Sequence, residues 1–184
     1  MKKYAFLFCC LALMMSACND DDNDTANILS HDRDNVTGPL LQAATWQAAT
    51  RFSPAETAEF SGLRLTQVEY FMGLAPDEAN VFIYGPGVNN QPGDLLYQAS
   101  ITNSINQTSW NTHRITTPID ITGEEIWIAI NLVHQADQQS IGCDAGPTET
   151  GGDWLFSSLD NQWRTYNDRT AESINWNIRG IVEE

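Results

Sequence analysis

The chain has 184 residues, of which 42% are hydrophobic, and a formal net charge of −15. Both lysines lie at positions 2 and 3, so the rest of the chain carries seven arginines against 24 acidic residues. Nucleic-acid binding and attraction to anionic lipid headgroups need Lys and Arg to neutralise phosphate, so this composition argues against both. The length fits one domain with a sizeable core and a short extension.

The N-terminus has the features of an export signal. Two lysines precede the apolar run Tyr4–Met15, which is shorter than the roughly 20 residues of a membrane-spanning helix. The run ends in Met-Ser-Ala-Cys at residues 15–18, which resembles a lipobox, the cleavage site of signal peptidase II. We therefore predict that residues 1–17 are a lipoprotein signal peptide and that Cys18 carries the lipid. Cleavage by an ordinary signal peptidase is the alternative, because lipoboxes more often have Leu where this chain has Met15.

An acidic stretch follows from Asn19 to Asp24. It resembles the surface-export signals of lipoproteins from the Bacteroidota, which implies an outer-membrane lipoprotein that faces outward; the alternative is a solvated linker. The tripeptide at 24–26 resembles an O-glycosylation acceptor of exported proteins, so Thr25 is a candidate glycosylation site. Because periodic hydrophobicity is scarce before Leu40, we predict a lipidated, acidic, flexible tether over 18–39 and a folded domain over 40–184.

Cysteine usage predicts a domain without disulfides. Cys9 and Cys10 would leave with the signal and Cys18 would be lipidated, so Cys143 has no partner within the mature chain. Stability must then come from burial of an apolar core rather than from cross-links.

From about Leu40 to Val182, short apolar runs alternate with Gly, Pro, Asn and Asp. This spacing predicts an all-β fold of about eight or nine strands in total, arranged in two antiparallel sheets that pack face to face. Ser53 and Glu56 have the spacing of a capping box at the start of a short helical turn. Between residues 63 and 72 the apolar alternation changes phase near Gln67, which predicts a bulge.

The strands predicted after this bulge differ in how deeply they should be buried. Residues 81–84 and 94–97 are joined by a turn-rich loop and should form a strand pair. Glu125–Val133 is the most apolar stretch after the signal, so we predict a central strand buried on both faces. The remaining predicted strands are 46–52, 110–115, 154–156, 162–164 and 174–182.

Several segments, in this order, resemble the jelly-roll-like β-sandwich modules of Bacteroidota surface lipoproteins and of secreted proteins, where they sometimes stand beside peptidase or adhesin domains. These segments are 48–52, 68–71, 92–97, 125–128, 142–147, 152–154 and 175–179. The resemblance implies a fold and a surface location more than an activity. Cys143 stands where such modules have small or turn residues, and its role stays open.

Six tryptophans follow the predicted signal, and they suggest carbohydrate binding because sugar rings stack on exposed indoles. Three belong to predicted strands and are assigned to the core: Trp46, Trp127 and Trp176. Three lie at strand ends or beside loops and are candidate ligand-binding residues: Trp110, Trp154 and Trp163. Arg164 and Tyr166, with Asn161 and Gln162, could add hydrogen bonds there.

A Gly-rich loop carries three carboxylates, Asp144, Glu149 and Asp153. Carboxylates and free carbonyls on such a loop are the ligands that Ca²⁺ prefers, and adhesin-type jelly rolls often hold this ion. The alternative is that Asp and Gly serve here as ordinary turn formers. The three histidines lack zinc-site spacing, so no other cofactor is predicted.

Catalytic motifs are not found. Cys143 could act as a nucleophilic thiol with His113 or His134 as its base. The sequence shows no nearby cation and no following helix that would activate the thiol, so a half-buried loop thiol is the better interpretation. A phosphate-binding loop and a nucleophile elbow are absent from the sequence. We therefore predict a non-catalytic envelope lipoprotein whose sandwich binds a glycan or a surface protein. An accessory domain of a secreted hydrolase system and a purely structural envelope protein are the alternatives.

Overall fold

The computed structural model describes residues 27–184. The predicted signal peptide, the lipidation site Cys18 and the glycosylation candidate Thr25 lie outside the described residues. Within residues 27–184, no helix has both the length and the apolar character needed to cross a membrane.

The described chain folds into two antiparallel β-sheets that pack face to face. The strands are β1 (Asn27–Leu29), β2 (Thr45–Phe52), β3 (Arg64–Met72), β4 (Glu78–Tyr84), β5 (Leu95–Ser100), β6 (Ser109–Asp120), β7 (Ile126–Val133), β8 (Trp154–Ser157), β9 (Gln162–Thr165) and β10 (Ile178–Glu183). The helices are α1 (Pro54–Thr57), α2 (Tyr166–Thr170) and the 3₁₀ turns Ala58–Phe60 and Thr102–Ser104. The predicted all-β, jelly-roll-like sandwich is confirmed, with ten strands rather than eight or nine.

One sheet has four strands in the order β1-β10-β3-β6, and the other has six in the order β5-β4-β7-β2-β8-β9. The chain crosses between the sheets repeatedly, for example from β2 to β3 and back to β4. Sequence neighbours therefore often lie in opposite layers. The main hydrophobic core fills the space between the two sheets.

Strand β7 lies inside the six-stranded sheet, where it pairs with β2 on one side and with β4 on the other. Seven of its eight residues are buried. Ile128 and Ile130 face the main core, while Trp127 and Ala129 belong to a second apolar cluster. The prediction of a central strand buried on both faces is confirmed.

The predicted bulge and capping box are both present. The pairing of β3 with β6 shifts between Leu65 and Gln67, and Leu65 and Thr66 are both buried, which accounts for the change of apolar phase. At the start of α1, the Ser53 N–H donates to Glu56 Oε2 at 2.8 Å. Both features depend on residues close in sequence.

The last predicted strand starts later than expected, because β10 begins at Ile178. Trp176 lies before it and pairs with Cys143 through an isolated bridge. The Trp176 N–H donates to the Gly152 carbonyl oxygen at 2.8 Å, and the Asn177 N–H donates to that of Gly142 at 3.0 Å. Residues 174–177 thus bond mainly to the loop between β7 and β8, and the Asn177 carbonyl oxygen also accepts from the Phe71 N–H of β3 at 3.0 Å.

The predicted tether over 18–39 needs correction in its described part, because residues 27–39 belong to the sandwich. Strand β1 pairs with β10, and Leu29 is buried in the main core. The Asp32 carboxylate lies 2.8 Å from Arg179 Nη2 and is fully buried, and Thr37 bridges to Cys143. Apolar periodicity missed this segment because backbone pairing and an ion pair attach it to the domain.

Candidate functional site

The outward face of the six-stranded sheet carries a second apolar cluster, separate from the main core. Strand register brings its side chains into rows, since Trp127 pairs with Tyr84 and Arg51, and Ala49 pairs with Trp154. We call these aromatic side chains the aromatic layer: Phe82, Tyr84, Trp127, Trp154, Phe156 and Trp163.

The rings of the aromatic layer contact one another at tilted and edge-on angles. The Trp127 ring centroid lies 5.2 Å from that of Trp154 and 5.6 Å from that of Trp163. Such geometries are the favourable ones for aromatic pairs. Trp127 is therefore fully buried although it faces away from the other sheet.

An ion pair lies at one end of this layer. Arg51 Nε donates to Glu125 Oε2 at 2.7 Å, and Glu125 Oε1 accepts from Trp127 Nε1 at 2.7 Å and from the Gly87 N–H at 3.2 Å. Burial of Glu125 opposes its ionisation, but hydrogen bonds from Trp127, Gly87 and Arg51 outweigh this effect and lower the pKa of the carboxyl. The bond to Glu125 holds the Arg51 guanidinium in one orientation, with its central carbon 5.4 Å from the Trp127 ring centroid.

A cavity of about 730 Å³ opens beside the ion pair. The end of β2, the loop at 147–151, the start of β8, and the junction of β9 with α2 supply its walls. The lining residues used below are Arg51, Glu56, Glu149, Thr150, Asp153, Trp154 and Asn167. Arg51 and Trp154 connect the cavity with the aromatic layer.

Asp153 is a buried acceptor in this cavity, with 1% of its surface exposed. Its Oδ2 accepts from the Asn167 N–H at 3.0 Å. Asn167 lies at the start of α2, which is capped by a hydrogen bond from the Asp168 N–H to Thr165 Oγ1. Burial is the main cause that raises the pKa of this carboxyl. Asp153 is therefore a buried carboxyl that the start of α2 holds in place.

Two further carboxylates of the cavity wall are more exposed. Glu149 lies 3.9 Å from Arg33 Nη2, and Glu56 lies 3.7 Å from His31 Nδ1. Among the described lining residues, Arg51 is the one basic side chain. The cavity thus has an excess of acidic groups.

The structure brings together two of the five predicted ligand-binding residues. Trp154 and Trp163 both join the aromatic layer, although Trp154 is largely buried by its neighbours. Trp110 lies on β6 in the other sheet, where the Arg179 guanidinium stacks 4.1 Å from its ring centroid. Arg164 and Tyr166 take other positions, described next.

Arg164 pairs with the inward-facing Leu155 and so lies on the face of β9 opposite Trp163; its Nε donates to Gln162 Oε1 at 2.9 Å. The Tyr166 ring is buried 5.5 Å from that of Trp176. Burial raises the pKa of Tyr166 to about 12. Neither residue lines the cavity. Trp46, Trp127 and Trp176 are buried, as predicted.

The calcium candidates do not converge. The Asp144 carboxylate is filled by protein donors: Oδ1 accepts from the N–H groups of Gly146 and Asn175, and Oδ2 accepts from Asn175 Nδ2. Glu149 and Asp153 line the cavity, whereas Asp144 is buried beneath the loop. Across residues 27–184, no group of three or more His, Cys, Asp or Glu side chains is placed to hold a metal ion.

Cys143 is fully buried rather than half-buried. Burial, together with the negative charges of Asp144 and Glu172, raises the pKa of its thiol to about 12, so the nucleophilic thiolate is disfavoured. In the part of the chain described, neither His113 nor His134 hydrogen-bonds the thiol; His113 Nε2 instead lies 2.8 Å from the Tyr97 hydroxyl.

Arg51 and Asn167 are not among the predicted site residues, and Asp153 is predicted only as a metal ligand. A signal for Arg51 existed, since a charged residue interrupts the apolar run of β2 directly before Phe52. Asn167 carried no such signal, because its role depends on the turn from β9 into α2 that brings its N–H to Asp153.

Comparison with known proteins gives a likeness of fold. No family model matches the chain, and no curated protein matches it. A structure of the Clostridial cysteine protease Cwp84 after propeptide cleavage is similar with a TM-score of 0.61 and 12% identity over 85% of this chain and 39% of that one. A second similar structure contains the cysteine protease and lectin-like domains of Cwp84, a surface layer associated protein of Clostridium difficile. Its TM-score is 0.51 and its identity 14%, and the match covers 83% of this chain and 37% of that one. The chain therefore spans less than two fifths of either protein, and the likeness concerns the fold.

Proposed function

We propose that this protein is a non-catalytic, surface-exposed outer-membrane lipoprotein whose sandwich binds a glycan in the cavity beside Trp154. The observation that carries the proposal is the combination of groups at that cavity. Trp154 contributes apolar lining, Arg51 a fixed donor and Asp153 a buried carboxylate. A small number of convergent polar groups beside an apolar, aromatic lining is typical of small-ligand sites.

The chemistry of a sugar matches these groups. A saccharide has an apolar face of C–H groups and a rim of hydroxyls that both donate and accept hydrogen bonds. A hydroxyl that reaches the buried Asp153 carboxylate would form a charge-assisted hydrogen bond, which is stronger than a bond between two neutral groups. Arg51 needs no reorganisation to act, because Glu125 already fixes it.

Other observations support the accessory, non-catalytic part of the proposal. The raised pKa of Cys143 argues against a thiol nucleophile at that position. Part of Cwp84, a surface layer associated protein with cysteine protease and lectin-like domains, is similar in fold to this chain. The location rests on the lipobox-like residues 15–18 and the acidic stretch after them. The lipid at Cys18 would then attach the protein to the membrane.

A glycan array probed with the purified protein tests the proposal. Thr150 is exposed and lines the cavity, so Thr150→Trp should fill the cavity without disturbing the core. Thr117→Trp, at an exposed position of β6 in the other sheet, is the matched control. We expect the wild type and Thr117→Trp to retain the same glycan and Thr150→Trp to lose it, with all three melting alike.

Asp153→Asn gives a second, smaller change at the same site, because it keeps the shape of the side chain and removes the acceptor role of one oxygen. We expect the variant to bind the glycan at least about tenfold more weakly, because it loses a hydrogen bond to a charged group. Failure of the wild type to bind any glycan overturns the proposal and leaves the protein-partner alternative. Equal binding by Thr150→Trp and the wild type places the glycan elsewhere and overturns the cavity as its site.

A further inference from the structure

A row of three amide side chains crosses the outward face of the six-stranded sheet. Asn131 of β7 pairs with Asn80 of β4 on one side and with Gln47 of β2 on the other. Asn131 follows Trp127 and Ala129 in the alternation of β7, so its side chain points to the same outward face. We call Asn80, Asn131 and Gln47 the amide row.

The amide row has unused hydrogen-bonding groups. Within residues 27–184, the side chains of Asn80 and Asn131 make no hydrogen bond, and that of Gln47 makes one, in which Oε1 accepts from the Tyr84 hydroxyl at 2.8 Å. Asn131 is 7% exposed, yet its amide atoms are not sealed from solvent. Each amide can both donate and accept. Since nearly buried polar groups are normally paired, an unpaired amide at this depth points to a ligand that pairs with it.

The amide row continues into the aromatic layer. Gln47 pairs with Phe156 of β8, and Phe156 pairs with Trp163 of β9, with their ring centroids 5.7 Å apart. Both rings are half-buried, so part of each is open to a ligand. Trp154, which lines the cavity, lies on the same face of β8 as Phe156. The amides, the rings and the cavity therefore form one continuous surface.

We infer that this surface binds a linear, uncharged glycan that extends from the cavity over the rings and the amide row. The inference rests on the proposed function, because it assigns a chain length and a charge class to the same glycan. Five neighbouring strands from β4 to β9 take part, and a strand spacing of about 4.8 Å gives a span of about 19 Å. A disaccharide is too short for this span. Because the amide row is neutral, it holds sugars by hydrogen bonds rather than by ion pairs.

Two uncharged β-1,4-linked N-acetylglucosamine oligomers, the dimer and the hexamer, test the inference when each is titrated into the purified protein by calorimetry. Their acetamide groups can both donate to and accept from an Asn or Gln amide. We expect the hexamer to bind at least about tenfold more tightly than the dimer, because it adds two or more neutral hydrogen bonds. Raising NaCl from about 50 mM to about 0.5 M should change the hexamer affinity by less than about twofold, because no ion pair forms.

Asn131→Ala removes the central amide of the row without touching the main core, and Gln67→Ala, on the outward face of the other sheet, is the matched control. We expect Asn131→Ala to weaken hexamer binding about tenfold and to leave dimer binding unchanged. Asn80→Ala, at the end of the row, should weaken hexamer binding less, and Gln67→Ala should change neither. All of these variants should melt like the wild type.

The outcomes separate this inference from the proposed function. Equal affinity for the dimer and the hexamer, or unchanged hexamer binding by both Asn131→Ala and Asn80→Ala, overturns the extended site and leaves the cavity site standing. Failure of both oligomers to bind also overturns the inference, while the glycan array decides the proposed function by itself.

Discussion

Glu125 joins three parts of the molecule through one carboxylate. It accepts from the Arg51 guanidinium, from the Trp127 indole and from the Gly87 N–H, and 10% of its side chain is exposed. The carboxylate therefore fixes the cavity donor Arg51 and anchors the largest ring of the aromatic layer. Removal of one partner from such a buried network leaves the other charges and donors unmatched.

We predict that Glu125→Gln lowers the free energy of unfolding at pH 7 by about 1–3 kcal/mol. The pKa of Glu125 is lower in the folded protein than its ordinary value of 4.5, so its contribution is present above that pH and is lost as the pH falls through the folded-state pKa. The gap between the variant and the wild type should therefore shrink below about pH 4.5. Urea unfolding at several pH values measures this gap.

Glu124→Gln is the matched control, because Glu124 is the exposed neighbour of Glu125. It should unfold within about 0.5 kcal/mol of the wild type. A gap for Glu125→Gln that stays constant from pH 7 to pH 3 would show that the charge of Glu125 does not contribute.

At the scale of elements, the short strand β1 determines where the domain begins. Its three residues pair with β10, and Leu29 enters the main core. Gly180, the partner of Leu29, leaves space there, since a Cβ at that position would lie 2.7 Å from both Leu65 and Ile128. The segment that follows adds the buried ion pair of Asp32 with Arg179. The predicted boundary at residue 40 would cut away a structural strand.

Two substitutions within β1 test this role. Leu29→Ala should lower the free energy of unfolding by about 2–4 kcal/mol, because it removes core contacts and leaves a cavity. Ile28→Ala on the same strand should cost less than about 1 kcal/mol, because Ile28 is 41% exposed. Chemical denaturation of both variants gives the comparison. Equal effects of the two would show that β1 does not contribute a specific core residue.

At the scale of the whole molecule, acidic charge dominates. With 20 acidic residues and seven arginines over 27–184, most carboxylates have no basic partner. Such an imbalance destabilises the compact state by self-repulsion and disfavours contact with phosphate-rich partners. It also leaves the ion pairs of Arg51, Arg169 and Arg179 as local exceptions in a negative field.

We predict that moderate salt stabilises the fold. Raising NaCl from about 10 mM to 0.5 M shortens the Debye length from about 30 Å to less than 10 Å, which screens the repulsion among exposed carboxylates. The melting temperature should rise by several degrees, as measured by calorimetry or circular dichroism. At pH 4, where many carboxyls are protonated, the same addition of salt should have a smaller effect. A lower melting temperature in salt at pH 7 would contradict this prediction.

Much of the fold could be predicted from the sequence because it depends on local periodicity. The apolar run of β7, the change of phase in β3 and the spacing of Ser53 and Glu56 each reflect neighbours a few residues apart. The all-β class and two-sheet packing follow from many such short runs. The start of the domain could not be predicted in this way, because β1 is held by long-range pairing and by the contact of Asp32 with Arg179.

The sequence by itself determined the class of fold, the central strand and the acidic surface. Only the tertiary structure decided which tryptophans lie together, because alternation shows that a strand has two faces but not which of them meets the other sheet. Trp154 and Trp163 share the outward face with Trp127, while Trp110 lies on the opposite sheet. The cavity likewise joins β2, the loop at 147–151 and the start of α2, which are far apart in the chain. Pairing across these distances carries no local sequence signal, so the fold had to bring Arg51, Asp153 and Asn167 together before they could be recognised as one site.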